Sequence, residues 1–301
     1  MKAEFVSTPH AAGWIHFSDD ESFNETSFKD AKGLGFIDIE AHVIARMSKT
    51  NKLPRFTSSE AIWDMAFQPL IHNDLGLYVI VDSGAWVERV LKAGVRTVQL
   101  RIKDSAQNNL RSEIKTSIAL ASRYDAQLFI NDHWQMAIEE GAYGVHIGQE
   151  DLDTIGTAGL QAISDKGLRL GISTHAYWEV CKALAVKPSY IACGPIHPTA
   201  AKAMPWIPQG NDNLAYWCSK LNPLGVPVVA IAGMDATRAT QAAQCGAASV
   251  AVISAVTAAS DPEAVIVQLQ AAIALGKTSK KWPVPSLARP TLKREAAPRT
   301  D

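Results

Sequence analysis

Short β-branched runs alternate with longer segments of helical period eight times between residues 75 and 275, and this repeat limits the possible folds more than any other feature. The expected strands are 76–81, 97–101, 127–130, 144–146, 169–172, 190–192, 226–231 and 249–253. Helical patterns accompany them at 86–93, 110–124, 134–140, 176–185, 236–245 and 262–275. Gly94, Gly141, Gly167 and Gly246 stand where helix C-termini favour glycine. Eight β–α units predict a (β/α)8 TIM barrel, a fold that usually takes ~200–250 residues. A doubly wound open sheet fits less well, because no G-x-G-x-x-G follows the first strand. Barrel active sites lie at the C-terminal ends of the strands, so the polar residues just beyond each run are the candidates for chemistry.

The flanks have a different texture. Residues 1–72 read as an irregular N-terminal extension, with an acidic stretch Ser18-Asp19-Asp20-Glu21-Ser22 and a short mixed segment from Gly35 to Met47. The catalytic barrel is expected over 73–275. Residues 276–301, rich in Pro, Lys and Arg, read as a disordered basic tail. A net charge of -1 gives no overall attraction to nucleic acid or to an anionic membrane, so any anion site must be built locally. The start lacks the apolar stretch of a signal peptide and no run approaches the ~20 residues that span a bilayer, so a cytoplasmic protein is expected. Cys181, Cys193, Cys218 and Cys245 are widely spaced, which favours reduced thiols over a zinc or disulfide framework.

Strand period places Gln99, Arg101 and Lys103 on one face of the second run, with Leu100 and Ile102 on the other. Arg offers a planar fork and Lys a point charge, so the pair makes a good anion clamp, against the alternative of a salt-bridged strand end. The next two runs lead into Asn131-Asp132 and into Gly148-Gln149-Glu150-Asp151. Acids after neighbouring strands can converge on a magnesium ion, which takes a few carboxylates plus phosphate oxygens. Either Asp132 or Asp151 could instead cap a helix, and Glu150 is a weaker alternative ligand. His146, at the end of a buried run, suits a hydrogen-bonded core residue; His133 and His175 lack zinc-ligand spacing. Ser173 can cap a helix or donate to a phosphate. A loop of ~18 residues after the sixth run carries Lys202 and has the length of a lid or binding loop. Gly233 and Ser254 follow the last two strands, where many barrels seat a phosphate on backbone N–H groups.

The motifs Val98-Gln99-Leu100-Arg101-Ile102-Lys103, Ile130-Asn131-Asp132, Gly144-Val145-His146-Ile147-Gly148-Gln149-Glu150-Asp151-Leu152, Ser173-Thr174-His175, Pro198-Thr199 with Lys202, and Val250 to Ala255 together resemble the thiamine phosphate synthase family over about residues 75–272. The resemblance implies a cytoplasmic transferase that joins hydroxymethylpyrimidine pyrophosphate to thiazole phosphate with Mg2+, as a possible homodimer. It implies that Gln99, Leu100, Arg101, Ile102, Lys103, Asn131, Ser173 and Lys202 contact the pyrimidine pyrophosphate, with Arg101, Lys103, Ser173 and Lys202 acting in catalysis. Asp132 and Asp151 would hold the metal, and Thr199, Ala200, Ala201, Gly233, Ile253 and Ser254 would line the thiazole phosphate. Ala201 replaces the second hydroxyl of the family's Thr-x-Thr-Lys pattern, His197 stands where an aromatic residue is usual, and Ala232 replaces a glycine. The resemblance leaves residues 1–72 unexplained. A thiazole phosphate tautomerase-like paralogue and a non-catalytic metabolite sensor are the alternatives, and neither accounts for a magnesium and pyrophosphate clamp as simply.

Overall fold

In the computed structural model, which describes residues 1–18, 22–47, 52–60, 65–72, 74–104, 108–199 and 205–292, the chain opens on an antiparallel sheet. Strand β1 (Lys2–Ser7) pairs with β2 (Ala12–Phe17), which pairs with β3 (Arg55–Thr57). Helices α1 (Glu25–Gly33) and α2 (Asp38–Met47) lie between β2 and β3. The extension is therefore folded rather than irregular. Its signal is weak because β1 buries only Val6, so the alternation that marks a half-buried strand is almost silent. Helix α2, by contrast, buries seven of its ten residues, and five of these, Ile39, Ala41, Val43, Ile44 and Met47, pack into the same apolar core as the barrel's helices.

Eight parallel strands then close a barrel: β4 (Gly76–Val81), β5 (Thr97–Leu100), β6 (Gln127–Asn131), β7 (Gly144–Ile147), β8 (Arg169–Thr174), β9 (Tyr190–Cys193), β10 (Val228–Ile231) and β11 (Ser249–Val252). Strand β11 pairs back onto β4, with Val250 opposite Leu77, which completes the ring. Most of these strand residues are buried on both faces, as an all-parallel sheet requires. Around it run α3 (Gly84–Lys92), α4 (Leu110–Arg123), α5 (Trp134–Glu139), α6 (Gln149–Asp165), α7 (Tyr177–Ala185), α8 (Gly210–Leu221), α9 (Ala236–Gln244), α10 (Ser254–Thr257) and α11 (Pro262–Thr278). Strand ends differ from the expected ones by one or two residues, and Asn131 and Thr174 extend their strands because they still pair with His146 and Cys193.

The barrel interior is filled by large rings opposite absent side chains. Tyr78, Phe129 and Tyr190 are fully buried there, with Phe129 and Tyr190 edge to face at 5.0 Å. A Cβ on Gly171 would stand 2.1 Å from the Tyr190 ring, and one on Gly144 would stand 2.7 Å from the Phe129 ring, so both positions exclude any side chain. A second apolar layer lies between the strands and the helices.

The C-terminal segment departs from expectation in the same way as the extension. Helix α11 continues to Thr278, and residues 279–292 then run back over the barrel as a strap. Trp282 donates its backbone N–H to Gln244 O (3.1 Å) and its indole N–H to Asp212 (2.8 Å). The Ala288 N–H donates to the Tyr177 hydroxyl (2.9 Å), and the Arg289 guanidinium donates to the carbonyls of Pro208 (2.6 Å) and Gln209 (3.0 Å). Proline-rich composition suggested a solvated chain, but side chains and carbonyls elsewhere in the fold supply the partners that the strap cannot supply itself. Residues 293–301 lie outside the described residues.

Candidate active site

Strand period and register bring Gln99, Asn131, His146 and Ser173 to the inside of the barrel near its C-terminal mouth. Gln99, Asn131 and His146 are buried, while Ser173 is half-buried. Gln99 Nε2 donates to the Tyr78 hydroxyl (3.1 Å), which lies 2.9 Å from the Tyr190 hydroxyl. That hydroxyl lies 2.8 Å from His146 Nδ1, and His146 Nε2 lies 2.9 Å from Ser173 Oγ. Burial holds the His146 imidazole far below its ordinary range, at about 4, with the Arg101 charge adding to the effect. His146 is thus a neutral, hydrogen-bonded interior residue, as its position in the sequence suggested.

Arg101 sits one residue beyond β5, tied by its N–H to Val81 O at 2.7 Å. Asp132 follows β6 with a φ of 62°, a left-handed conformation that Asp tolerates better than most residues. Its N–H donates to His146 O (3.0 Å), and its carboxylate accepts from Asn131 Nδ2. Helix α5 starts at Trp134 with His133 in the capping position, so the Asp132 carboxylate is not spent as a helix cap. It faces Asp151, in the first turn of α6, within hydrogen-bonding reach. Desolvation at the mouth raises the Asp132 pKa, Asp151 raises it further, and Arg101 opposes both. Glu150 is exposed and does not contribute to this pair. His133 Nε2 lies 2.9 Å from Ile102 O and so braces the β5 and β6 loops together.

Across the mouth, the loop after β9 is bound to the end of β10. The Ile196 N–H donates to Ile231 O (2.9 Å) and the His197 N–H donates to Ala232 O (3.2 Å). Gly233 has a φ of 66°, and a Cβ there would stand 2.6 Å from Pro198 O, so only glycine allows this approach. Thr199 and Gly233 thus lie on two loops in contact. Ile253 caps α10 and Ser254 begins it, on the neighbouring strand end. Gln209 closes the foot of the long loop: its N–H donates to Pro195 O (2.7 Å) and its amide donates to His175 O (2.7 Å). His175 stacks on Trp206 at 5.0 Å and pairs with Glu179.

Of the expected site residues, Gln99, Arg101, Asn131, Asp132, Asp151 and Ser173 are brought to one part of the mouth. The side chains of Leu100 and Ile102 are buried in the outer apolar layer, so a ligand at the mouth would meet these residues through their backbone. Lys103 is exposed two residues past Arg101. Ala200, Ala201 and Lys202 lie outside the described residues. The sequence reading missed Tyr78 and Tyr190. Their one available signal is a tyrosine in the middle of a buried strand, whose hydroxyl must find a partner. Among the described residues no three His, Cys, Asp or Glu side chains gather as a metal centre.

A closed (β/α)8 barrel with a carboxylate pair, an arginine and a glycine-lined loop pair at its C-terminal mouth defines a phosphate-handling barrel enzyme. The profile of the thiamine monophosphate synthase family matches residues 77–256. A thiamine-phosphate synthase of Salmonella agona is 50% identical over 208 residues, 69% of this chain and 96% of that protein. One from Serratia proteamaculans is 52% identical over 201 residues, 67% of this chain and 92% of that protein. The solved thiamine phosphate pyrophosphorylase of Pyrococcus furiosus superposes with a TM-score of 0.58 at 27% identity, covering 68% of this chain and 98% of that one. The chain belongs to the thiamine monophosphate synthase family.

Proposed function

We propose that this transferase condenses hydroxymethylpyrimidine pyrophosphate with thiazole phosphate, giving thiamine phosphate and pyrophosphate. The observation that carries the reading is the Asp132–Asp151 pair beside Arg101, at the mouth that Gln99, Asn131 and Ser173 line. The Asp151 carboxylate raises the proton affinity of Asp132, and a small oxygen-seeking cation satisfies such a donor set. Magnesium therefore fits Asp132 and Asp151, and when bound it would neutralise the charge that develops on a departing pyrophosphate.

The chain's own residues take the other tasks. Arg101 and Lys103, with Lys202, would hold the pyrophosphate oxygens and stabilise them as the C–O bond breaks. Gln99, Asn131 and Ser173 would orient the pyrimidine through neutral hydrogen bonds, leaving its exocyclic carbon open to the second substrate. Thr199, Gly233, Ile253 and Ser254 would seat the thiazole phosphate so that the ring nitrogen meets that carbon in near-attack geometry. No protein nucleophile is required. Turnover of both substrates by purified protein with magnesium, releasing one pyrophosphate per thiamine phosphate, is the test. Tight binding without product would favour a sensor instead, and conversion of thiazole phosphate alone would favour a tautomerase.

A further inference from the structure

The interior of the barrel contains an unbroken hydrogen-bonded chain of five side chains, Gln99–Tyr78–Tyr190–His146–Ser173, contributed by five different strands. Its first four members are buried, so no solvent can supply a missing partner. Each hydroxyl has one hydrogen, so with the Gln99 amide N–H donating at one end, satisfying every buried hydrogen sets the direction of the remaining links. Gln99 Nε2 donates into Tyr78. The Tyr78 hydrogen is left with Tyr190 as its acceptor. Tyr190, already accepting, directs its own hydrogen to His146 Nδ1. A ring nitrogen that accepts carries no proton, so the imidazole is neutral and protonated at Nε2, and it donates to Ser173 Oγ. The Ser173 hydrogen is then surplus to the interior, on the one half-buried member of the chain.

We propose that Tyr190, with Tyr78 behind it, is a positioning residue that fixes the His146 tautomer and so commits the Ser173 hydroxyl to donate its hydrogen into the barrel mouth, while the Gln99 carbonyl oxygen is left as an acceptor. The two ends of the chain therefore present complementary polarity to one ligand: an acceptor at Gln99 and a donor at Ser173. A ring with an N–H donor and a ring-nitrogen acceptor on the same side matches that pair, and a ligand of the opposite polarity does not. The part concerning substrate rests on the functional reading above; the proton order does not.

Two measurements test it. In full-length protein labelled with 15N-histidine, the His146 resonances, assigned by their loss in a His146→Asn variant, should show a bonded proton on Nε2 and none on Nδ1. Tyr190→Phe should abolish that bias, because Nδ1 loses its donor, and Tyr78→Phe should weaken it, because Tyr190 then no longer accepts a hydrogen that obliges it to donate onward. Calorimetry of pyrimidine pyrophosphate with magnesium, thiazole phosphate withheld, then forms a double-mutant cycle. Tyr190→Phe and Ser173→Ala should each weaken binding by roughly fivefold to tenfold, the size of one hydrogen bond. The double variant should be no weaker than Ser173→Ala alone, because Tyr190 acts through Ser173. A proton on Nδ1 in the wild-type protein, or additive losses in the cycle, overturns the proposal. If the protein neither binds nor turns over the pyrimidine, the functional reading fails, and the tautomer still decides the proton order.

Discussion

Two side chains held with positive φ make opposite predictions. Asp132 adopts its left-handed turn at little cost, and Asn adopts the same turn, so Asp132→Asn changes charge and leaves the backbone alone. The repulsion with Asp151 disappears, so the thermal midpoint should hold or rise slightly. Turnover at limiting magnesium should fall roughly a hundredfold, since even outer partners of metal ligands are worth ~10–100-fold. A thermal melt reads the first effect and a magnesium titration of the initial rate the second, and wild-type rates at limiting metal would remove Asp132 from the cation site. Ala232 is the contrary case. Its φ of 84° favours glycine, and the strain sits just past the end of β10 beside the Gly233 turn. Ala232→Gly should stabilise the fold by roughly 0.5–1 kcal/mol, the left-handed penalty less the added chain entropy. Equilibrium denaturation in urea should show the midpoint move upward with an unchanged slope; a drop in midpoint would mean that the turn is not strained.

Helix α7 shows how much an element can conceal from its sequence. Tyr177, Glu179, Val180, Cys181, Lys182, Ala183, Leu184 and Ala185 are all buried, because the extension covers the face that an ordinary barrel helix shows to water. Charged Glu179 and Lys182 argue for a solvated face when read alone, so that burial was not legible; it depends on chain more than 100 residues away. The barrel strands were legible because each is buried by its own neighbours, and their β-branched runs record it. At the N-terminus of α7, Glu40 of α2 accepts from the Tyr177 N–H, while its second oxygen is buried without a partner. Burial pushes the Glu40 carboxyl up to about 7, backbone donors at Tyr177 and Ile37 oppose the rise, and the charge of Glu179 adds to it. Glu179 itself accepts from the His175 N–H and ring. A folded-state value above the unfolded one means that the native state holds its proton longer. The contribution to stability is full below the ordinary glutamate range and is lost as pH rises towards 7. The loss should be on the order of 3 kcal/mol between pH 4.5 and 7. Denaturation at pH 5 and pH 7.5 should show this slope in the wild-type protein and a flatter one in Glu40→Gln; equal slopes would show that Glu40 ionises freely in the folded protein.

In the molecule as a whole, the pieces beyond the family match converge on one ring. Tyr177 stacks edge to face with Phe36 of the extension at 5.6 Å and with Trp217 of α8 at 4.7 Å. Its hydroxyl accepts the Ala288 N–H of the strap. The extension, the barrel and the strap thus share one buried contact, and the strap continues to the foot of the β9 loop, where the Ile207 N–H donates to Thr291 O at 2.6 Å. Site residues at strand ends were legible because a repeat fixes where strand ends face. The strap was not, because its order comes from partners such as Asn213 and Asp212 rather than from its own composition. Contacts shared in this way make the termini cooperative. Deleting residues 280–301 removes the Trp282 and Arg289 anchors and leaves the Tyr177 hydroxyl without its donor. The apolar and hydrogen-bonding loss, roughly 3 kcal/mol, should lower the thermal midpoint by about 5 °C. Because Phe36 packs on the same ring, limited proteolysis should cut the truncated protein within the extension faster than the intact one. The β9 loop loses the Arg289 clamp on Pro208 and Gln209 as well, so KM should rise more than kcat falls. Unchanged cleavage of the extension in the truncated protein would show that the two termini dock independently, each held by the barrel alone.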